Sequence, residues 1–350
     1  MKNSTLTRIL LNLFATILLT IVGIWGSYAL DAILQNPFSE NIEVRGFYVL
    51  VFIFVVFFTW LLYSTEQDSI EAQKRLISKS DELKEAIRTL PPEGFLNLFS
   101  EKYDEAHALY KALLHAEGKF TKQEIELSIR GILIGILRLT EFFDRGSENQ
   151  SYGANIMIFT DAYKKDENYK PELKVNLKFA NEDVDMHKLK GVLYLKHELS
   201  TSTKCDNSEI DTDLQPIKLA LPVPFEAISS KTRKFKALPG APLAVALNSP
   251  NLYADASTVA DWVKTEGDFN ETIEAEIRDY FSIGLGKDIK SFCSIPLVCD
   301  GAEPIAVLNL HKNATEMFSR KDQFAIYTKI MQPFLSMLAE LVNKLYEPRP

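Results

Sequence analysis

Cysteine is scarce in this chain: Cys205, Cys293 and Cys299 are the only three among 350 residues, and no C-x-x-C pair occurs. An odd count, in a region expected to lie in the cytosol, means reduced thiols that are partly core rather than a disulfide framework. The five histidines, His107, His115, His187, His197 and His311, are scattered without ligand spacing, so no metal site is expected. A basic excess is missing too. Lys and Arg number 39 against 47 Asp and Glu, a net charge of -8 with pI near 5.4, which argues against a general nucleic-acid binder. No nucleophile elbow, complete P-loop, Rossmann fingerprint or H-E-x-x-H is present, and no enzyme is expected. The G-L-G-K run at Gly284, Gly286 and Lys287 lacks the spacing that wraps a phosphate and reads as a turn.

What the chain does have is two long apolar runs near its start, Ile9 to Leu30 and Phe47 to Tyr63, without a charged side chain. A helical span needs about 20 such residues (about 17 to 25). Lys2 and Arg8 make a positive start, but the first run exceeds the roughly 7 to 15 residues of a signal-peptide core, so it reads as an anchor. Lys2 and Arg8 precede the first run and Lys74, Arg75 and Lys79 follow the second. The intervening loop, Asp31 to Arg45, has Arg45 as its only basic residue beside Asp31, Glu40 and Glu43. The positive-inside bias then places both termini in the cytoplasm, in a multi-pass protein of the inner (plasma) membrane. Along the first run Asn12, Thr16, Thr20, Gly23 and Ser27 share one helix face, suited to close helix packing or, on the sharper reading, to lining a pore. The second run is phenylalanine-rich and expected to face lipid.

A polar, helix-favouring stalk follows from Ser64, with a short heptad-like seam at Leu76, Leu83, Ile87 and Leu90, interrupted by Ser80 and closed by Pro91-Pro92. Helices are predicted from about 94 to 115 and from 122 to 143, the second carrying an apolar stripe of Ile129, Leu133, Ile136 and Leu137. The pattern then changes to strands at 154–161, 173–179, 191–199 and 216–222, a helix near 271–280, strands at 289–299 and 304–312 joined by Asp300-Gly301, and a last helix over 321–345. Hairpin (1–63), stalk (64–119) and domain (120–348) make an α+β chain with an antiparallel sheet.

The segment SFCSIPLVCDGAEPIAVLNLHKNATEMFSRKDQFAIYTKIMQPFLSMLAELV resembles the last two strands and closing helix of GAF domains, and GAPLAVALNSPNLYADAS (240–257) is similar to that family's Gly, Val-Ala, small-polar-Pro and Tyr-x-Asp stretch. GAF domains are small-molecule sensor modules, and the resemblance spans roughly 120 to 348. It implies an antiparallel sheet flanked by helices, association into oligomers, and a ligand pocket near Tyr253, Asp255, Trp262, Arg278, Ser291 and Cys293. These residues also have a plainer reading, with Tyr253 and Trp262 core, Asp255 a helix cap and Arg278 solvated. The Asn-Lys, Phe, Asp-Glu signature of cyclic-nucleotide-binding members is met at Lys312, Phe318 and Asp322 and departs at His311 and Gln323. No Cys-His pair matches the bilin-binding members. The expected function is a membrane-anchored cytoplasmic sensor of a small molecule, a nucleotide among the candidates, acting through its membrane hairpin or its oligomeric state. That arrangement is similar to sensor-plus-hairpin effectors of bacterial antiviral systems. The rival is a ligand-free GAF-fold scaffold that tethers a partner protein to the membrane. Expected partners are the lipid bilayer, a small-molecule ligand and further copies of the chain, with no nucleic acid; the sequence names no cofactor.

Overall fold

A computed structural model of the protein describes residues 2–35, 42–115, 120–147, 149–161, 175–180, 189–205, 209–211, 214, 216–299, 303–318 and 320–346. The chain divides into two compact units, residues 1–86 and 87–350.

The first unit is two helices, α1 (Lys2–Gln35) and α2 (Ile42–Thr89). Within α2, Val44–Ser64 spans 21 residues at mean hydropathy 2.3, with none of that window buried, and is long and apolar enough to cross a membrane. The apolar stretch of α1 among the described residues, Leu13–Ser27, is shorter than a span. Phe14 meets Phe57 edge-on with centroids 5.3 Å apart, and the glycines at one end of the pair admit aromatic rings. A Cβ on Gly26 would sit 3.0 Å from Phe47, and one on Gly46 3.2 Å from Trp25. α2 then continues without a break into its polar half, ending just before Pro91-Pro92, where a missing amide hydrogen and ring clash stop a helix. The seam side chains of Leu76, Leu83 and Ile87 lie outside the described residues, and Leu90 is exposed.

The second unit mixes helices with an antiparallel sheet. Phe95–His115 (α3), assigned to the stalk on sequence, packs against Lys122–Phe143 (α4) and buries Phe95 and Ala106. α4 starts at a reciprocal cap, in which the Thr121 hydroxyl accepts from the Glu124 N–H while the Glu124 carboxylate accepts from the Thr121 N–H. Its expected apolar stripe is the buried face: Ile129, Leu133, Ile136 and Leu137 are at most 1% exposed.

Six strands follow: β1 (Tyr152–Asp161), β2 (Leu189–Ser202), β3 (Ala220–Pro224), β4 (Asn251–Tyr253), β5 (Ser291–Val298) and β6 (Pro304–Lys312), in the spatial order β3-β2-β1-β6-β5-β4. α4 lies on β1 and β2, and the last helix, α9 (Gln332–Tyr346), on β5 and β6 of the same face. Between them is the main core, where Leu133, Phe143, Ile156, Leu308, Tyr327, Phe334 and Leu338 are all buried. Each fully buried apolar side chain of this kind contributes about 1.5–3 kcal/mol. On the opposite face sit α5 (Ala241–Leu247), α6 (Val259–Thr265) and α7 (Glu271–Ser282), with two smaller clusters, one around Met157, Leu193 and Val307 and one around Leu238, Val263 and Ile277.

Two sequence expectations are corrected here. Residues 175–179, the described part of the expected strand 173–179, do not form a strand. Leu173 and Lys174 lie outside the described residues, Val175 is 82% exposed, Leu177 makes one isolated bridge to Ala220, and Phe179 takes a positive φ of 55° that no extended strand accommodates. The closing helix is two helices, α8 (Lys321–Ile330) and α9, because Pro333 lacks the amide hydrogen and clashes with the preceding turn. The expected Asp300-Gly301 turn lies outside the described residues, but the strands it joins pair antiparallel, Leu297 opposite Ala306.

Candidate functional site

Strand alternation sorts the sheet into two chemistries. On β6, Leu308, Leu310 and Lys312 point into the main core, while Asn309 and His311 point the other way. There, between the sheet and the layer formed by α5, α6 and α7, lies a cavity of about 830 Å³. Its apolar wall includes Met157, Leu219, Leu221, Leu238, Ile277, Phe281 and Phe292, and its polar part Asn155, His197, Lys204, Lys287, Ser294, Asn309 and His311. The volume, and an apolar wall holding a few convergent polar groups, are those of a small-molecule site.

Register builds the polar floor. Asn309 is the Cα partner of Asn155 on β1 and of Ser294 on β5. The three side chains form a ladder across the sheet: the Ser294 hydroxyl donates to Asn309 Oδ1 at 2.7 Å, and Asn309 Nδ2 donates to Asn155 Oδ1 at 2.9 Å. One step along, His311 is the partner of Gly153, and a Cβ at that glycine would overlap the imidazole. Only glycine leaves the ring room to lie over β1. Burial pushes the His311 pKa down from 6.5 to about 4, so the ring is neutral near pH 7 and offers one donor and one acceptor. Among the described residues that imidazole has no hydrogen-bond partner.

The aromatic wall is a stack, with Phe292 parallel to Phe281 at 5.7 Å on one side and to Tyr253 at 5.0 Å on the other. The G-L-G-K turn also lines the cavity, through Gly284, Leu285 and Lys287. Three of its four amides are committed elsewhere: Gly284 N–H donates to Asp279 O, Gly286 N–H to Tyr280 O and Lys287 N–H to Gly284 O. A phosphate cradle needs such groups free, so the turn is not one.

None of the six residues expected to line a pocket lines this cavity. Ser291 and Cys293 lie on the core face of β5, one residue out of phase with Phe292 and Ser294, which do line it. The Ser291 hydroxyl donates to Ala314 O and accepts from the Met317 N–H, fastening the loop after β6. Cys293 is fully buried in the main core, which raises its thiol pKa. Tyr253 stands behind Phe292, and burial raises its pKa. Trp262 packs on Phe235 at 5.1 Å, and Asp255 caps the 3-10 turn Ala256–Thr258 by accepting from the Ser257 N–H at 2.9 Å. Arg278 is half exposed and pairs with Asp261 at 2.9 Å and Glu274 at 3.0 Å, both of which raise its pKa. In the first unit Thr16, Thr20, Gly23 and Ser27 are exposed, and a Cβ on Gly23 would meet nothing within 4 Å, so this face is not covered by α2; the Asn12 side chain lies outside the described residues. The Thr20 hydroxyl donates to Thr16 O and that of Ser27 to Ile24 O, hydrogen bonds that keep both satisfied within the helix.

Among the described residues no group of three His, Cys, Asp or Glu could hold a metal ion. No protein-family model matches the chain, and no curated protein matches it significantly.

Proposed function

We propose that the chain is a membrane-anchored small-molecule sensor, with a GAF-like ligand-binding unit facing the cytoplasm and a helical hairpin in the inner membrane. The observation that carries this reading is the 830 Å³ cavity between sheet and helices, a largely apolar chamber with a polar floor that holds an imidazole without a hydrogen-bond partner among the described residues. Support for the anchor is the 21-residue apolar stretch of α2; in this reading α1 is the second span. The antiparallel sheet covered by helices on both faces agrees with the GAF resemblance. Ligand binding acts on the hairpin through a change of conformational or oligomeric state, which requires the ligand to bind one state better than the other. The uncovered face at Thr16, Thr20, Gly23 and Ser27 is where copies of the hairpin would meet. An effector that alters the membrane, as in antiviral defence, is the output this arrangement suits.

The test is native mass spectrometry of the full-length protein after exposure to the small-molecule fraction of its host cells, beside membrane potential in cells expressing it. Leu221→Trp, which fills the cavity, is the control. A bound species absent from the variant, and a potential that responds in the parent alone, are expected. With no bound species and no change of potential or permeability, the tethered, ligand-free scaffold becomes the answer.

A further inference from the structure

The cavity wall narrows the ligand class, resting on the sensor reading above. We propose that it takes a small amphipathic carboxylate, its apolar body against the Phe281–Phe292 stack and its head group against Asn155 and His311.

The hydrogen-bond ladder of the floor supplies the first reason. It runs in one direction, from the Ser294 hydroxyl through Asn309 to the Asn155 carbonyl oxygen. An amide whose oxygen is already an acceptor presents its NH2 group outward, and among the described residues nothing accepts from Asn155 Nδ2. The floor therefore ends in a donor. His311, beside it, brings a second N–H. Asn155 and His311 are diagonal neighbours across an antiparallel pair, with Asn155 opposite Asn309 and His311 two residues further on. Such positions are about 7–8 Å apart. Two side chains that rise from one face of the sheet at that backbone separation can bring their donors to the two oxygens of one carboxylate, each at about 3 Å.

Charge supplies the second reason. The chain carries a net charge of -8, yet among the described residues the cavity wall has two lysines, Lys204 and Lys287, against one acid, Asp288. Among the described residues neither lysine is in an ion pair. A wall of reversed sign on an acidic protein favours an anion and disfavours an organic cation. A phosphate ester fits less well, because among the described residues no arginine lines the cavity and three of the four G-L-G-K amides are committed to backbone carbonyls. The third reason is the body of the chamber: a stack of parallel rings and aliphatic side chains accepts an apolar group larger than the head.

Three probes with one aromatic body separate the classes: 2-naphthoate, 2-naphthamide and 2-naphthyl phosphate. Each is titrated calorimetrically into the full-length protein held in amphipol, with Leu221→Trp measured alongside so that non-specific uptake cancels. Saturable 2-naphthoate binding is expected in the parent, at least about tenfold tighter than 2-naphthamide, the worth of one charge-assisted hydrogen bond. Asn155→Leu should bring the naphthoate affinity to the naphthamide level. Should that variant fail to fold, Lys204→Gln with Lys287→Gln alters only exposed side chains; it should weaken naphthoate several-fold, leave naphthamide unchanged and flatten the salt dependence. Naphthamide or the phosphate binding as tightly as naphthoate overturns the carboxylate assignment and leaves a ligand-binding cavity standing. Absence of any difference between the parent and Leu221→Trp for all three probes also overturns it, while the sensor reading is judged separately by the cell-extract experiment.

Discussion

Asp144, at the C-terminus of α4, is the residue whose loss the α+β unit should tolerate least. Its carboxylate receives three donors from three other segments: Lys312 Nζ at 2.8 Å and the Tyr152 hydroxyl at 2.6 Å on Oδ2, and the Phe318 N–H at 2.6 Å on Oδ1. The lysine and aspartate side chains are only 6% and 3% exposed, so water cannot stand in for a lost partner. Asp144→Asn preserves shape but leaves the Lys312 ammonium buried without a counter-charge. Breaking a buried pair from one side in this way costs about 3–5 kcal/mol. Lys312→Met should cost less, about 1–3 kcal/mol, because the remaining carboxylate keeps two of its three donors. The double variant Asp144→Asn with Lys312→Met should fall short of the sum of the two by about 0.5–3 kcal/mol, the coupling typical of residues in one network. Equilibrium urea unfolding of the detergent-held protein, followed through Trp262 in variants with Trp25 and Trp60 replaced by Phe, gives all the values. A cost below about 1 kcal/mol for Asp144→Asn, or strict additivity, would refute the account of this cluster as a buried, mutually dependent set.

Two further outcomes follow from the cavity floor. Gly153→Ala should push the His311 imidazole out of its place over β1 at a cost of about 0.5–1.5 kcal/mol, the scale of an off-rotamer side chain. An NMR titration of the ring should then move upward from about 4 towards the ordinary 6.5, and an unmoved titration would show that the glycine does not set the ring position. In the parent, the folded protein keeps His311 neutral while the unfolded chain takes up a proton below pH 6.5. Stability should therefore fall as pH drops from about 6.5 to about 4 and change no further on this account below that, with a contribution of about 1–3 kcal/mol. His311→Gln should remove that slope; an identical pH profile in the variant would assign it to other groups.

Much of the architecture can be read from periodicity, and the failures have identifiable causes. β6 spans the expected residues 304–312 and α4 the expected 122–143, because both carry an unbroken period and clear ends, Thr121 and Glu124 in the helix and Pro304 and Lys312 in the strand. Residues 173–179 show an equally clean alternation, but a strand also needs a neighbour, and among the described residues only Ala220 is bridged to it. For Ser291 and Cys293, which lie off this cavity, the difference is one of phase. Along Ser291–Val298 apolar and small residues fall on both faces, so nothing local says whether Phe292 or Cys293 meets the core. A signal did exist on β6, where Asn309 and His311 alternate with Leu308 and Leu310 and mark one face as polar. Asn155, at the same level on β1, completes that face only through strand pairing, which no local pattern reveals.

The unbroken course of α2, 48 residues from Ile42 to Thr89, fixes an angular relation between the side chains of its apolar and polar halves. At about 1.5 Å and 100° per residue, the helix is about 72 Å long and behaves as a shaft with a defined phase. One residue inserted into its polar half turns the rest of the helix by about 100° and advances it by about 1.5 Å. Seven inserted residues restore the phase to within about 20°. The number of residues between Ser64 and Thr89 is thus a setting of rotation as well as of distance, and its tolerance to change should follow the helical repeat rather than length.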